Sequence, residues 1–281
     1  MSDPSTLKEW IVFSASALEG IVSEPRHEAE LLLRAFYNKD ALWLIRNEMT
    51  VLDDTQRLRQ WITRRAANEP LEYISQRVSF YSQEFFIQQG ALIPRPETEL
   101  LIEKTLLHVN PDEHLCIVEV GIGSGIISII LAQHLPHAHF IGVDISTEAL
   151  RIAQRNIECF GLKERIELRH GNLLSSVNEP IDVVVSNPPY IADTAVLESN
   201  LSYEPDTALF GGSQGDEIIK ALLDEVLQRR VALLTCEMGY DQKAAIEAYL
   251  SDFKIQSLEF YKDYSGFDRG FIMKVTDEQT Q

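Results

Sequence analysis

Cysteine is scarce in this 281-residue chain: Cys116, Cys159 and Cys236 are its three. Their spacing gives neither a zinc-ligand pattern nor a disulfide framework. Cys116 and Cys236 fall in apolar, strand-like stretches and read as buried small hydrophobes. No apolar run approaches the roughly 20 residues of a membrane-spanning helix. The opening Met1-Ser2-Asp3-Pro4 has no charged-then-apolar signal region, so the expectation is a cytoplasmic protein away from membranes. Basic residues are in the minority, with 25 Lys and Arg against 43 Asp and Glu and a formal net charge of −18. That balance argues against extensive phosphate contact, and so against a stable nucleic-acid partner. Internal repeats and low-complexity tracts are absent.

What is there reads as an ordinary globular chain, 45% hydrophobic and 24% charged, able to bury a real core in one large or two modest domains. Residues 1–75 have no nucleotide-type glycine turn. Pro4–Leu18, Arg26–Tyr37 and Asp54–Ala67 read as amphipathic helices, with Ser2 or Asp3 and Asp53 or Asp54 as caps. Ala29–Arg34 supplies one buried stripe. Residues 76–95 read as a short β-hairpin linker, with strand material over Val78–Phe86. A helix then opens near Pro96 and Glu97, good first-turn residues. From there to residue 281, strands alternate with helices at the rhythm of a parallel sheet, an α/β pattern. Ile255–Phe260 and Gly270–Val275 have no helix between them and read as an antiparallel edge hairpin. Thr276–Gln281 reads as a frayed polar tail.

Leu115–Val120 reads as a buried strand, and Gly121-Ile122-Gly123-Ser124-Gly125 follows it. Ile126–Leu135 is apolar enough for a buried helix. Strand, glycine turn and helix open a nucleotide-binding βαβ unit. The glycines let a ligand lie on the backbone, where a Cβ would collide. A second strand, Ala138–Val143, ends at Asp144, a carboxylate suited to both hydroxyls of a ribose. The spacing is G-x-G-x-G rather than the dinucleotide G-x-G-x-x-G, and Glu119 stands two residues ahead of the first glycine. A carboxylate there repels a pyrophosphate and welcomes a cation. S-adenosylmethionine is a ligand of that kind, with an ammonium, a sulfonium and a ribose. After strand Arg165–Arg169, Asn172 can bond an adenine edge and Leu173 can pack on its face.

A fourth strand, Val183–Val185, delivers Asn187-Pro188-Pro189-Tyr190. Each proline fixes its own φ and biases the residue before it toward extended geometry. The result is a rigid corner with two outward acceptors, the Asn187 side-chain oxygen and the Pro188 carbonyl, and with Tyr190 as an aromatic wall. Such a corner suits a planar –NH2 group with two hydrogens to place.

These residues resemble the class I S-adenosylmethionine-dependent methyltransferases. Within them, the chain is similar to the bacterial family that methylates the glutamine side-chain amide in the Gly-Gly-Gln motif of peptide-chain release factors. The resemblance spans Pro70–Ile74, Val78–Phe86, Leu92-Ile93-Pro94-Arg95-Pro96-Glu97-Thr98-Glu99, Tyr203-Glu204-Pro205, Ala208-Leu209, Gly211-Gly212, Glu237-Met238-Gly239 and Asp263-Tyr264 to Asp268-Arg269. It departs at Asn172, where the family often has Asp, and at Leu173, where it often has an aromatic. It departs again at Gln228-Arg229-Arg230, where a Pro-Gly-Gly turn is usual.

The resemblance implies a seven-stranded, mostly parallel Rossmann-like sheet in residues 96–281. It also implies a substrate-recognition domain in 1–75 and the hairpin linker of 76–95. It assigns cofactor contacts to Glu119, Gly121, Ile122, Gly123, Ser124, Gly125, Asp144, Asn172, Leu173 and Asn187. Substrate contacts fall to Asn187, Pro188, Pro189 and Tyr190, with Asn187, Pro188 and Tyr190 as the catalytic set and no metal. No strong general base stands in the corner. Other –NH2 groups remain as alternatives, a ribosomal-protein glutamine or adenine N6 in DNA, as does a binding protein that keeps the fold without activity.

Overall fold

The computed structural model describes residues 4–197 and 199–276. The caps expected at Ser2 or Asp3, and the tail from residue 277, lie outside the described residues. The chain divides into two compact units, one holding the described residues up to Arg77 with 199–203, the other Val78–Leu197 and the described residues from Glu204 onward.

The first unit is helical: α1 (Leu7–Ala17), α2 (Pro25–Tyr37), α3 (Ala41–Arg46), α4 (Thr55–Ala66) and α5 (Leu71–Ser75). Helix α1 begins later than Pro4, because Thr6 and Glu9 form a reciprocal capping box. Asp54 stands at the start of α4 in a left-handed conformation, φ 55°, and makes no side-chain cap. Helix α3, too short for its periodicity to show, starts where the Asp40 side chain accepts from the Trp43 N–H at 2.8 Å. Leu7, Trp10, Leu32, Leu33, Leu58 and Trp61 form the core. Ala29, Leu32 and Leu33 are the buried stripe of α2.

The second unit opens with the hairpin β1 (Arg77–Phe80) and β2 (Gln83–Phe86), followed by α6 (Thr98–His108), β3 (Cys116–Val120), α7 (Ile126–His134), β4 (His139–Asp144), α8 (Thr147–Cys159), β5 (Ile166–His170) and β6 (Val183–Ser186). After these come β7 (Ile191–Ala192), α9 (Asp206–Leu209), β8 (Phe210–Gly212), α10 (Glu217–Arg229), β9 (Leu233–Glu237), α11 (Lys243–Leu250), β10 (Ile255–Lys262) and β11 (Asp268–Val275). Seven strands form one sheet in the order β10-β11-β9-β6-β3-β4-β5. The five from β9 to β5 are parallel, and β11 runs antiparallel to both β9 and β10. This is the expected mostly parallel sheet with its antiparallel edge hairpin. Strands β6 and β9 are buried along their whole length, as parallel strands covered on both faces must be.

The chain runs outward from β3 through β4 to β5, then returns to place β6 on the other side of β3. Adjacent strands β3 and β6 therefore flank a topological switch point, and their carboxyl ends open onto a crevice.

Asn156 of α8 ties three elements together. Its side chain exchanges hydrogen bonds with the Phe86 backbone, at 2.8 and 2.9 Å, and donates to the Ser124 carbonyl at 2.8 Å. The hairpin is thereby fixed to the same helix as the glycine loop. Cys236 is buried, but Cys116 is only partly so and Cys159 is exposed, because Cys116 stands at the very start of its strand. At the departure over 228–230, α10 ends with Arg230 left-handed at φ 55°, its N–H bonded to the Leu227 carbonyl and the Val231 N–H to that of Val226. Arg230 occupies the conformation that a glycine usually takes at a helix end. Arg229 turns back to donate to the carbonyls of Leu174 and Val177 at 2.8 and 2.6 Å.

Candidate active site

A cavity of about 290 Å³ opens at the switch point, lined by the glycine loop, Asp144, Gly171–Leu173 and Asn187–Pro189. Glu119, Leu92, Pro94, Thr98, Pro205, Thr207 and Ala208 complete much of its wall. Segments scattered over the second unit thus converge: Glu119, the glycine loop, Asp144, Gly171–Leu173 and Asn187–Pro189 at or just beyond the carboxyl ends of strands, the others from α6, α9 and the runs before them.

Gly121, Gly123 and Gly125 all have positive φ, at 72°, 55° and 82°. Their first requirement is therefore backbone conformation rather than clearance for a ligand. Gly125 also lies close to α8, where an added Cβ would stand 3.3 Å from the Ala153 Cβ. The loop is anchored at its start, where the Gly121 and Ile122 N–H groups both reach the Val143 carbonyl. The Ile122 side chain is buried and fills the space left by the missing side chain of Gly142. Only its backbone and inner face are left for a ligand.

Asp144 arrives already oriented. Its Oδ2 accepts from the Gly123 N–H at 2.9 Å and its Oδ1 from the Ser146 N–H at 2.8 Å. Each oxygen retains lone-pair capacity for a hydroxyl. Burial raises the Asp144 carboxyl above its ordinary value, opposed by these N–H donors and by His170.

Glu119 is more deeply placed. Its Oε2 accepts from the Ser128 N–H at 2.8 Å and from the Ser128 hydroxyl. Burial pushes its pKa up to about 8 despite both bonds. The ready carboxylate expected from the sequence is thus protonated at neutral pH until a cation or another donor favours its charged form. Asn172 is exposed and its N–H is held by Ser175 Oγ at 3.2 Å. Leu173 sits left-handed at φ 49° and packs partly on the core.

The Asn-Pro-Pro-Tyr corner is rigid and buttressed. The Ser186 hydroxyl donates to the Val120 carbonyl at 2.8 Å, locking the ends of β6 and β3 together. Gln242 Nε2 donates to the Tyr190 carbonyl at 3.0 Å. Pro188 lines the cavity directly beside Asn187. The Asn187 amide is held through its nitrogen, which donates to Thr98 Oγ1 at 3.1 Å. Thr98 in turn donates to Glu237 Oε2 at 2.8 Å.

Tyr190 departs from expectation. Its ring packs on the core instead of lining the cavity, and its hydroxyl donates to Glu237 Oε1 at 3.2 Å. The corner's aromatic is a buttress here, because the buried Glu237 carboxylate offers its hydroxyl a strong acceptor. Burial and the Glu237 charge both raise the Tyr190 pKa well above its ordinary value.

Sequence reasoning missed the grouping of Thr98 and Glu237 behind the corner. Both lie in segments that carry the resemblance, yet nothing in their spacing pairs them. Burial lifts the Glu237 pKa to about 7, against the pull of Thr98, Tyr190 and Arg269. A second pairing links two other such segments: Glu204, buried, accepts from the Ile93 N–H at 2.9 Å and from Arg95 at 2.5 Å. That bond fastens the run before α6 to the segment before α9, and both line the cavity.

The cavity fits S-adenosylmethionine on its chemistry. Two carboxylates stand at separate points of a largely apolar wall, one beside the glycine loop and one oriented to accept from hydroxyls. Among the described residues, no helix is long and apolar enough to cross a membrane.

Comparisons with known proteins agree with this geometry. A family profile described as Methyltransferase small domain matches residues 96–202, and one described as PrmC N-terminal domain matches residues 9–75. The release factor glutamine methyltransferase of Buchnera aphidicola subsp. Schizaphis graminum is 35% identical, covering 87% of this chain and 90% of its own. That of Moorella thermoacetica is 35% identical over 92% of this chain and 94% of its own. Among solved structures, the N-terminal domain of human METTL16 in complex with SAH superposes with a TM-score of 0.51 at 16% identity, covering 82% of this chain and 87% of that one. The last likeness is one of fold; the first two carry the assignment over nearly the whole length. By sequence, by fold and by the residues gathered at its switch point, the chain belongs to the release factor glutamine methyltransferase family.

Proposed function

We propose that this protein methylates the side-chain amide nitrogen of the glutamine in the Gly-Gly-Gln motif of peptide-chain release factors, with S-adenosylmethionine as donor. The observation that carries the reading is the corner itself. Two acceptors, Asn187 Oδ1 and the Pro188 carbonyl, stand in the wall of the cofactor-sized cavity, with the Asn187 nitrogen already engaged by Thr98.

An amide nitrogen is a poor nucleophile, because its lone pair is delocalised into the carbonyl. Asn187 and Pro188 accept its two hydrogens, which polarises the nitrogen and fixes its direction of approach. Gly121, Gly123 and Gly125 with Asp144, Glu119, Asn172 and Leu173 would hold the cofactor, which when bound supplies an electrophilic methyl on a sulfonium. The contribution of this chain is then positioning and electrostatics. Pro189 keeps the Pro188 carbonyl in place, and Tyr190 and Gln242 hold the corner from behind. The proton leaves after transfer, when the nitrogen has become acidic.

A release-factor substrate supports a cytoplasmic location, and the net charge of −18 supports a protein rather than a nucleic-acid partner. The helical unit of residues 1–75 serves as the second point of substrate recognition.

The test is mass spectrometry of unmethylated release factor after incubation with this protein and S-adenosylmethionine. One added methyl on the Gly-Gly-Gln glutamine is expected. An unmodified factor, with cofactor binding intact, would exclude this substrate.

A further inference from the structure

We infer that Thr98 and Glu237 are positioning residues that hold the Asn187 amide in the one orientation presenting its oxygen, not its N–H2, to the substrate nitrogen. This inference rests on the proposed reaction and assigns work to two side chains outside the Asn-Pro-Pro-Tyr corner.

An ionised carboxylate only accepts, whereas a hydroxyl has a single hydrogen to give. Glu237 accepts on both oxygens, from Thr98 at 2.8 Å and from Tyr190 at 3.2 Å. With its hydrogen committed to Glu237, Thr98 Oγ1 has only lone pairs to offer Asn187. The Asn187 group 3.1 Å away must therefore be the donor, Nδ2. The amide oxygen is left for the substrate. Both Thr98 and Glu237 are buried, so solvent has little access to these bonds.

Protonating Glu237 reverses the chain. A proton on Oε2 donates to Thr98, whose own hydrogen is released toward Asn187. The amide then turns its oxygen to Thr98, and its N–H2 faces the substrate's N–H2, donor against donor. The groups facing Glu237 are Thr98 from α6, Tyr190 after β6, Arg269 from β11 and, more distantly, Glu97 before α6. Tyr261 of β10 and Cys236 of β9 also lie within reach of its charge. Arg269, paired with Asp263 at 2.8 Å, opposes the burial that brings Glu237 to about 7. Turnover accordingly falls as pH drops below about 7, at cofactor concentrations that keep the site full.

The test compares wild type, Thr98→Val, Thr98→Ser and Glu237→Gln by kcat and KM for the release factor from pH 6 to 8.5, with calorimetric titration of S-adenosylmethionine as the folding control. Thr98→Val is expected to lose about 10²-fold in kcat, to keep its cofactor affinity and to lose the acid limb near pH 7. Thr98→Ser, which restores the hydroxyl, is expected to recover most of that loss together with the limb. Glu237→Gln, which cannot titrate, removes the limb even if the valine variant does not fold. A valine variant within threefold of wild type, a serine variant as impaired as the valine one, or an acid limb that survives in Glu237→Gln overturns the inference while leaving the substrate reading intact. A wild-type protein that leaves the release factor unmethylated overturns both.

Discussion

Asn187 Nδ2 donates to Thr98 Oγ1 at 3.1 Å across 89 residues of sequence, so the amide of the Asn-Pro-Pro-Tyr corner is oriented by the first residue of a distant helix. Truncating Asn187 removes one of the two substrate acceptors but none of the groups around the glycine loop or Asp144. Asn187→Ala is expected to bind S-adenosylmethionine close to normally and to lose about 10²–10³-fold in kcat, the scale of deleting one preorganised polar group. Calorimetry and single-turnover methylation separate the two quantities. Near-native turnover would remove Asn187 from the mechanism.

Cofactor binding is expected to release a proton. Burial holds Glu119 at about 8, so it is mostly protonated at pH 7, and a cationic ligand beside it favours the carboxylate. Affinity should rise between pH 6 and 7.5, and calorimetry at pH 7 in buffers of different ionisation heat should register the released proton. Glu119→Gln should abolish the release; an unchanged release in that variant would assign the proton elsewhere.

The same shift makes a stability prediction for the cofactor-free protein. A carboxyl raised from 4.5 to about 8 on folding contributes stability that is full below about pH 4.5 and is lost as pH rises through 8. The wild type should therefore lose more of its melting temperature between pH 6 and 8.5 than Glu119→Gln does. Parallel melting curves across that range would contradict the buried, raised Glu119.

Gly142 is the floor under the glycine loop. A Cβ there would lie 2.0 Å from Ile122 Cδ1, and Ile122 has little room to give, being buried between the loop and the sheet. Gly142→Ala is expected to destabilise by about 1–3 kcal/mol, the range for overpacking, and to weaken S-adenosylmethionine binding by displacing the loop. Chemical denaturation and calorimetry read both effects. A variant with unchanged stability and affinity would mean that the loop moves freely over the strand.

Arg230 offers a stabilising change. Its left-handed φ of 55° imposes about 1–2 kcal/mol of strain on a residue with a Cβ, while a glycine there adds some unfolded-chain entropy. Arg230→Gly is expected to gain about 0.5–1 kcal/mol in denaturant unfolding, with activity unaffected because the turn lies at the amino end of β9. A loss of stability would show that the Arg230 side chain contributes more than its backbone strain removes.

Much of this molecule is legible in its residues because the informative signals are local. Apolar β-branched runs mark β3, β4 and β6, since a strand buried on both faces needs no polar alternation. Glycines at 121, 123 and 125 mark a turn that residues with a Cβ resist. Paired prolines fix the backbone at 188 and 189 wherever they stand. The absence of a helix between residues 260 and 270 already implies the antiparallel β10 and β11. Boundaries were less legible at α1, where a capping box at Thr6 and Glu9 outweighs Pro4, and α3 went unseen because six residues carry too little periodicity.

The sequence by itself determined where strands end and which residues stand at those ends, because steric limits on φ and the alternation of apolar and polar residues act within a few positions. Only the tertiary structure decided what those residues do to one another. Tyr190 turns away from the cavity, and Thr98 reaches Glu237 across 139 residues. Glu119 and Glu237 rise toward neutrality through desolvation, which belongs to the packed interior and to no single segment. Hydrogen-bond direction and the charge of a buried carboxyl depend on the neighbours that folding supplies, and around Glu237 those neighbours come from segments far apart in the chain.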